Sequence, residues 1–365
     1  MCKKIFFAVL CLFFSITLHA TEMKVISDAA GRQIHVPEKV NRVVCSGPGC
    51  LRLLTYLKAQ DKVVAVDSIE KRRTIFDARP YALANLQFRN YPLFGEFRGF
   101  DQPELILALE KQPQVILKTF ANYGYDPQEL QNKIGIPVVV LNYGDLGLHR
   151  NDLFQALRVM GKIVGKEQRA EEVIAFFNKS IDDLSRRTLN VPDDECRSCF
   201  VGGIAFRGPH GLQSTEPSYP PFVFIHAANV VGRSSNKGLL HCNVSKEQIV
   251  AWDPEVIFLD LSTIQMGAKA GALFELKTDP AFRILSAVEH GNVYGVLPYN
   301  WYSLNFGSIL ADAYFIGKQL YPKRFEDVDP RVKADEIYTF LLGRPVFQEM
   351  NSAFGNLVFK RIGMD

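Results

Sequence analysis

Pro103-Glu104-Leu105-Ile106-Leu107-Ala108-Leu109, running on to Pro113-Gln114-Val115-Ile116-Leu117, has a near echo far down the chain. The echo is Lys246-Glu247-Gln248-Ile249-Val250-Ala251-Trp252-Asp253, which leads into Pro254-Glu255-Val256-Ile257-Phe258. Each copy reads as a short helix opened by a glutamate, a proline break and a buried apolar strand. A unit that recurs once across so wide a gap predicts two lobes of like construction. Two such lobes leave a cleft between them, where small ligands bind.

The residues around the first copy alternate strand and helix. Val25-Ile26-Ser27 and Gln33-Ile34-His35-Val36-Pro37 read as a hairpin turning at Ala30-Gly31. Val43-Val44-Cys45 is a short strand, Ser46-Gly47-Pro48-Gly49 a sharp loop, and Leu51, Leu54 and Leu57 then recur at helical spacing. Strands follow at 63–66, 115–117 and 138–141, with a helix over 127–133, which is the pattern of a parallel α/β lobe. Residues 151–187 read as mainly helix: Ala170, Val173, Ile174, Phe177, Ile181 and Leu184 share one face, and Gly161 and Gly165 are candidate interruptions. A helix of that length is a stiff spacer with little room for closure. A second lobe opens near Phe200-Val201, with strands at 256–259 and 293–296 and a helix over 310–320 stopped by Tyr321-Pro322. Ile337, Phe340 and Leu341 mark a packing helix in the tail.

The chain start reads as an address. Lys3 and Lys4 precede an apolar run over 5–18, and His19-Ala20 precedes Thr21-Glu22. The run is too short to span a bilayer comfortably and fits a Sec-type signal peptide cleaved after Ala20. Cys11 follows Leu10 where a lipoprotein signal wants a small residue, so a soluble exported protein is expected. With 42 basic and 39 acidic residues, the charge argues against nucleic acid as a partner. Cleavage would leave Cys45, Cys50, Cys196, Cys199 and Cys242, an odd number in an oxidising compartment. Cys196-Arg197-Ser198-Cys199 reads as a redox pair, a local disulfide or two plain thiols. Cys45 and Cys50 flank the glycine loop and are also free to pair.

The order hairpin, lobe, long helix, lobe resembles the class III solute-binding proteins of bacterial ABC importers, the receptors for ferric siderophores, haem and cobalamin. The resemblance rests on Asp28, Gly31-Arg32, Val36-Pro37, Arg42-Val43-Val44, Asp61-Lys62-Val63-Val64, the two glutamate-to-strand units, and Gly291-Asn292-Val293-Tyr294 before Trp301. It implies an α/β fold of two Rossmann-like lobes joined by a long rigid helix. The segments are then a signal (1–20), a first lobe (21–150), a connecting helix (151–190), a second lobe (191–322) and a C-terminal helical extension (323–365). It further implies a periplasmic location and, as partners, a membrane permease with its ATPase. Glu104 and Glu247 match the family's docking glutamates, which meet permease arginines; two exposed carboxylates on rigid lobes suit guanidinium partners. Either residue alone also serves as a first-turn carboxylate of its helix.

The cleft candidates come from loops at strand ends. Gly47, Pro48, Gly49 and Cys50 join a strand to a helix start, a place where free N–H groups hold anions. Leu51-Arg52 stands where siderophore receptors often carry Thr-Glu, and Arg52 reads as part of a solvated helix face. Arg98 and Tyr123 lie on first-lobe loops; Arg207, His210, Ser214, Tyr219, Tyr299 and Trp301 lie on second-lobe loops. The histidines are scattered without metal-ligand spacing, so neither a protein-only metal site nor a resident cofactor is expected. Arginines with aromatic rings suit a small anionic metal complex of the ferric-chelate type; the glycine loop also suits molybdate or tungstate. A reading of another class is an exported thiol oxidoreductase using Cys196 and Cys199. No Gly-x-Ser-x-Gly, Ser-His-Asp or Walker pattern supports a cleft enzyme.

Overall fold

The computed structural model describes residues 22–72, 74–233 and 241–364. The expected signal over 1–20 lies outside them. Among the described residues no helix is long and apolar enough to cross a membrane.

The chain opens with an antiparallel hairpin, β1 (Met23–Ser27) and β2 (Gln33–Pro37), with Ile26 opposite Ile34. Asp28 closes its turn, accepting from the N–H groups of Ala30 and Arg32 and pairing with the Arg32 guanidinium at 2.7 Å. The first lobe is a six-stranded sheet of β3 (Val43–Ser46), β4 (Val63–Asp67), β5 (Leu93–Glu96), β6 (Phe100–Asp101), β7 (Val115–Thr119) and β8 (Val138–Leu141). Its order is β6-β5-β4-β3-β7-β8, parallel except at β6. The second lobe contains β9 (Ser198–Gly202), the short β10 (Ser214–Thr215), β11 (Ala228–Asn229), the short β12 (Cys242–Asn243), β13 (Val256–Asp260) and β14 (Val293–Val296). There β11-β9-β13-β14 form a parallel sheet, and β10 pairs with β12 beside it.

The echo in the sequence occupies one place in both sheets. The helix Pro103–Leu107 precedes β7, which lies between β3 and β8. The helix Lys246–Trp252 precedes β13, which lies between β9 and β14. β7 and β13 are buried at every position. That is why both read as continuous apolar runs rather than alternating ones.

The connection between lobes departs from the single rod expected. It is two helices, Arg150–Val164 and Glu167–Thr188. Gly165, at φ 68°, ends the first one in the left-handed region that favours glycine, and its N–H bonds the Gly161 carbonyl. Gly161 itself stays helical; a Cβ there would sit 3.1 Å from that of Ala170, so the glycine lets the second helix pack closely. The 22-residue second helix, roughly 33 Å long, is the true connecting rod.

The helix Phe306–Leu320 is buried along nearly its whole length. The tail helix Pro330–Leu342 packs on it and also reaches Cys50–Tyr56 and Pro80–Ala84 of the first lobe. The C-terminal segment therefore touches both halves of the molecule.

Candidate functional site

A cleft of about 2140 Å³ opens between the lobes. Ile181 and Ser185 of the connecting helix, with Ile309, form part of its wall. The first lobe contributes Pro48, Arg79, Phe97, Arg98, Tyr123 and Tyr143; the second contributes Phe206, Arg207, Glu216, His241, Tyr299, Asn300 and Trp301. Of the residues singled out in the sequence, Pro48, Arg98, Tyr123, Arg207, Tyr299 and Trp301 thus meet around one space.

Two of them are built alike. Arg98 belongs to Phe97-Arg98-Gly99 on the first lobe, and Arg207 to Phe206-Arg207-Gly208 on the second. Both arginines take a left-handed backbone, φ 65° and 59°. Such strain in non-glycine residues gathers at functional sites. Each guanidinium lies over the ring of the preceding phenylalanine, at 5.2 Å and 5.4 Å from the centroid. Both arginines are exposed to the cleft, and no carboxylate among the described residues pairs with either. Arg79, by contrast, is neutralised by Glu70 at 3.1 Å and Asp77 at 2.9 Å.

The Arg98 loop is anchored from beneath. The wholly buried Lys118 donates to the Gly99 carbonyl at 2.9 Å and meets Asp101 at 2.5 Å. The Arg98 N–H donates to the Tyr302 hydroxyl at 3.0 Å, and that hydroxyl donates to Asp67 at 2.5 Å. Burial first, then the neighbouring Glu70, pushes the Asp67 carboxyl up to about 7.

Other expected contacts fail. Gly47 and Gly49 do not line the cleft: a Cβ on Gly47 would strike the Thr119 carbonyl at 2.3 Å, and one on Gly49 the Tyr143 ring at 2.2 Å. The glycines therefore serve close packing, and Tyr143 covers the helix start that was expected to present free N–H groups. Cys50 is fully buried, its thiol 3.3 Å from the Leu117 carbonyl. Ser214 and Tyr219 are buried behind the cleft wall. His210 stands beside the cleft rather than lining it, its ring 5.8 Å from that of His241.

Arg52 is not on a solvated face; its side chain is fully buried. It donates to the Tyr143 hydroxyl and to the carbonyls of Leu304 at 2.8 Å, Trp301 at 3.0 Å and Tyr302 at 3.1 Å. A lone charge in the otherwise apolar run Leu51-Arg52-Leu53-Leu54 was the available signal, since a charged side chain buried by its neighbours needs partners. Residues 301–304 thus wedge between the lobes, with Tyr302 and Ser303 both at positive φ.

Glu216 lines the second lobe and accepts from the Tyr299 hydroxyl. Burial is the main reason its carboxyl is pushed up to about 8, with Asp260 and Asp145 adding to the effect and Tyr299 opposing it. No sequence motif pointed to His241; Glu216 and the paired phenylalanines lie beside expected site residues on the same loops.

The two docking candidates lie on the outer helices. Glu104 is 74% exposed and meets Lys133 at 2.8 Å; Glu247 is exposed in the first turn of its helix. Cys199 is wholly buried in β9 and Cys196 half-buried before it, and the two are not joined by a disulfide.

These features match known proteins. The sequence profile of the periplasmic binding proteins fits residues 43–299. The molybdate-binding protein MolA of Haemophilus influenzae is 24% identical over 355 residues, spanning 90% of this chain and 93% of MolA. A periplasmic solute-binding protein of Veillonella parvula superposes with TM-score 0.68 at 18% identity, over 92% of this chain and 97% of its own. The structure of MolA bound to molybdate gives TM-score 0.65 at 20% identity, over 88% and 98%. With two like-built lobes, a cleft between them and a profile match across most of its length, the chain belongs to the periplasmic binding protein family.

Proposed function

We propose that this protein is the receptor of an ABC importer for an anionic metal complex, held in the interlobe cleft between Arg98 and Arg207. The observation that carries the reading is the pair of Phe-Arg-Gly turns, one on each lobe, each presenting an unpaired guanidinium to the same space. Guanidinium groups bind carboxylate or phosphate-like oxygens with several donors at once. The flanking rings suit the flat or apolar body of a chelate. Size favours a complex over a bare ion: 2140 Å³ exceeds the roughly 300–1,000 Å³ of ordinary small-ligand pockets. The Arg52 contacts oppose a wide closing motion that would shrink it.

A second reading is an oxyanion of the molybdate type, favoured by the similarity to MolA along nearly the whole chain. Thermal-shift and calorimetric titration with ferric chelates, haem, cobalamin, molybdate and tungstate separates the two. A chelate that stabilises the protein while the oxyanions do not supports the first reading; the reverse result supports the second. Binding of neither class, with Arg98 and Arg207 both intact, overturns the receptor assignment.

A further inference from the structure

Two buried thiols meet beneath the turn that carries Pro48. Cys45 sits in β3, and Cys50 opens the helix Cys50–Tyr56. Side chains alternate across a strand. Val44 packs into one core cluster of the first lobe, and Cys45 faces the other way, into the cluster that also holds Cys50. Both cysteines meet one residue of the neighbouring strand. Leu117 of β7 lies opposite Cys45 in the register of the sheet, and the Cys50 thiol donates to the Leu117 carbonyl at 3.3 Å. That uses its one hydrogen, so in the hydrogen bond between the two thiols Cys45 donates to the Cys50 sulfur. The backbone between them is tightly turned: Gly47 and Gly49 hold φ 86° and 76°, and the Cys50 N–H bonds the Gly47 carbonyl at 3.3 Å. Both residues stand as thiols in this structure. The family to which the chain belongs is periplasmic, and the periplasm is an oxidising compartment.

We propose that Cys45 and Cys50 are joined by a disulfide in the exported protein, a clamp that fixes the end of β3 to the start of the following helix. From thiol–thiol contact the sulfurs need only close to a bond of about 2.05 Å. The oxidant is a second disulfide, carried by a protein or small thiol of the compartment. One cysteine thiolate attacks it and releases a thiol, and the other cysteine then displaces the remaining sulfur from the mixed disulfide. One S–S bond forms, the oxidant's S–S bond breaks, and its two sulfurs leave as thiols with the two electrons and two protons. Burial first, then the contact with Cys50, pushes the Cys45 thiol well above its ordinary range, so the exchange belongs to the folding chain, before the turn is covered. The clamp lies under a contact between the lobes. Gly49 packs directly against the Tyr143 ring, whose hydroxyl donates to the Leu304 carbonyl of the second lobe at 2.7 Å.

The test uses the full chain exported to a bacterial periplasm and quenched in acid. Trypsin, cutting after Arg42 and Arg52, releases one peptide, 43–52, that holds both cysteines. Alkylated under denaturing conditions without reductant, this peptide should stay unmodified and weigh about 2 Da less than the dithiol. After reduction it should take up two alkyl groups. Two groups taken up without reduction, or a mixed disulfide at either cysteine, overturns the proposal. A second measurement compares the exported chain with the same chain folded in a reducing cytoplasm and verified to carry both thiols. Both forms carry Cys196→Ala, Cys199→Ala and Cys242→Ala, which leaves this pair alone to respond. The reduced form should melt a few degrees lower. Equal melting temperatures also overturn the clamp.

Discussion

Arg52 on the first lobe reaches the Leu304 carbonyl on the second, with Nη1 2.8 Å from the oxygen. The Tyr143 hydroxyl donates to that same carbonyl at 2.7 Å and accepts from Arg52. The guanidinium is buried without a carboxylate partner; its charge is met by carbonyl dipoles and a phenol. The planar fork of arginine explains how one side chain serves several acceptors in fixed directions.

Arg52→Met would take the guanidinium donors away from the carbonyls of residues 301, 302 and 304, of which Leu304 keeps Tyr143 and Trp301 keeps the Asn305 amide. We expect a loss of about 3 kcal/mol, read by urea unfolding. Arg52→Lys should recover little of it, because one ammonium lacks the fork. Scattering should also show a larger change on ligand binding in Arg52→Met than in the parent. A variant as stable and as compact as the parent would show that the lobes are held by other contacts.

The fold was legible because its signals are local. Apolar runs such as Val115-Ile116-Leu117 and Val256-Ile257-Phe258 can sit only in a sheet covered on both faces, and their repetition carried the two-lobe architecture. The break at Gly165 was marked in the sequence, but a glycine inside a helical pattern does not reveal whether the helix continues past it. The site was legible only in part. Arg98 and Arg207 could be read because loops after strands gather ligands. Ser214 and Tyr219 sit on an equally promising loop, yet fold behind the wall, because tertiary packing decides which side of a loop faces the cleft. Glu216, between Ser214 and Tyr219 on that loop, turns toward the cleft where they do not, and His241 lies far in sequence from the arginine turn it joins, with no spacing rule to link them.

Arg98→Ala and Arg207→Ala should each weaken an anionic ligand by roughly 10- to 100-fold, the range of a charged hydrogen bond at about 1.5–3 kcal/mol. Because both guanidinium groups are exposed, affinity in the parent should also fall with added salt. Isothermal titration of each variant at low and physiological ionic strength checks both points. Loss of salt dependence in the double variant assigns the effect to this pair, and unchanged affinity removes the two residues from the site.

Glu216 makes stability depend on pH. Its carboxyl, pushed up to about 8 by burial, holds its proton more tightly in the folded chain than in the unfolded one. Its stabilising contribution is therefore complete below the ordinary glutamate range and is lost as pH rises through about 8. Glu216→Gln keeps an acceptor for Tyr299 and carries no charge. Its melting temperature should match that of the parent near pH 4 and exceed it by a few degrees at pH 9. Parallel melting curves across that range would mean that Glu216 is charged in the folded protein.

Glu104 and Glu247 occupy the first turns of the two helices that precede the matching central strands, so the repeat in the sequence places one exposed carboxylate on each lobe. Glu104 is paired with Lys133 at 2.8 Å, but both side chains are largely open to water, which screens the pair and leaves it little weight in stability. A permease arginine docking here would displace Lys133 at little cost and gain a two-point contact. The double variant Glu104→Ala, Glu247→Ala should fold normally and bind its ligand as the parent does, yet fail to support uptake by cells that carry the importer. Each single variant should reduce uptake less, because one lobe remains engaged. Charge-reversed variants should regain transport when paired with acidic replacements at the permease arginines they meet. Full uptake by the double variant would mean that the lobes dock through other residues and that both glutamates serve only their own helices.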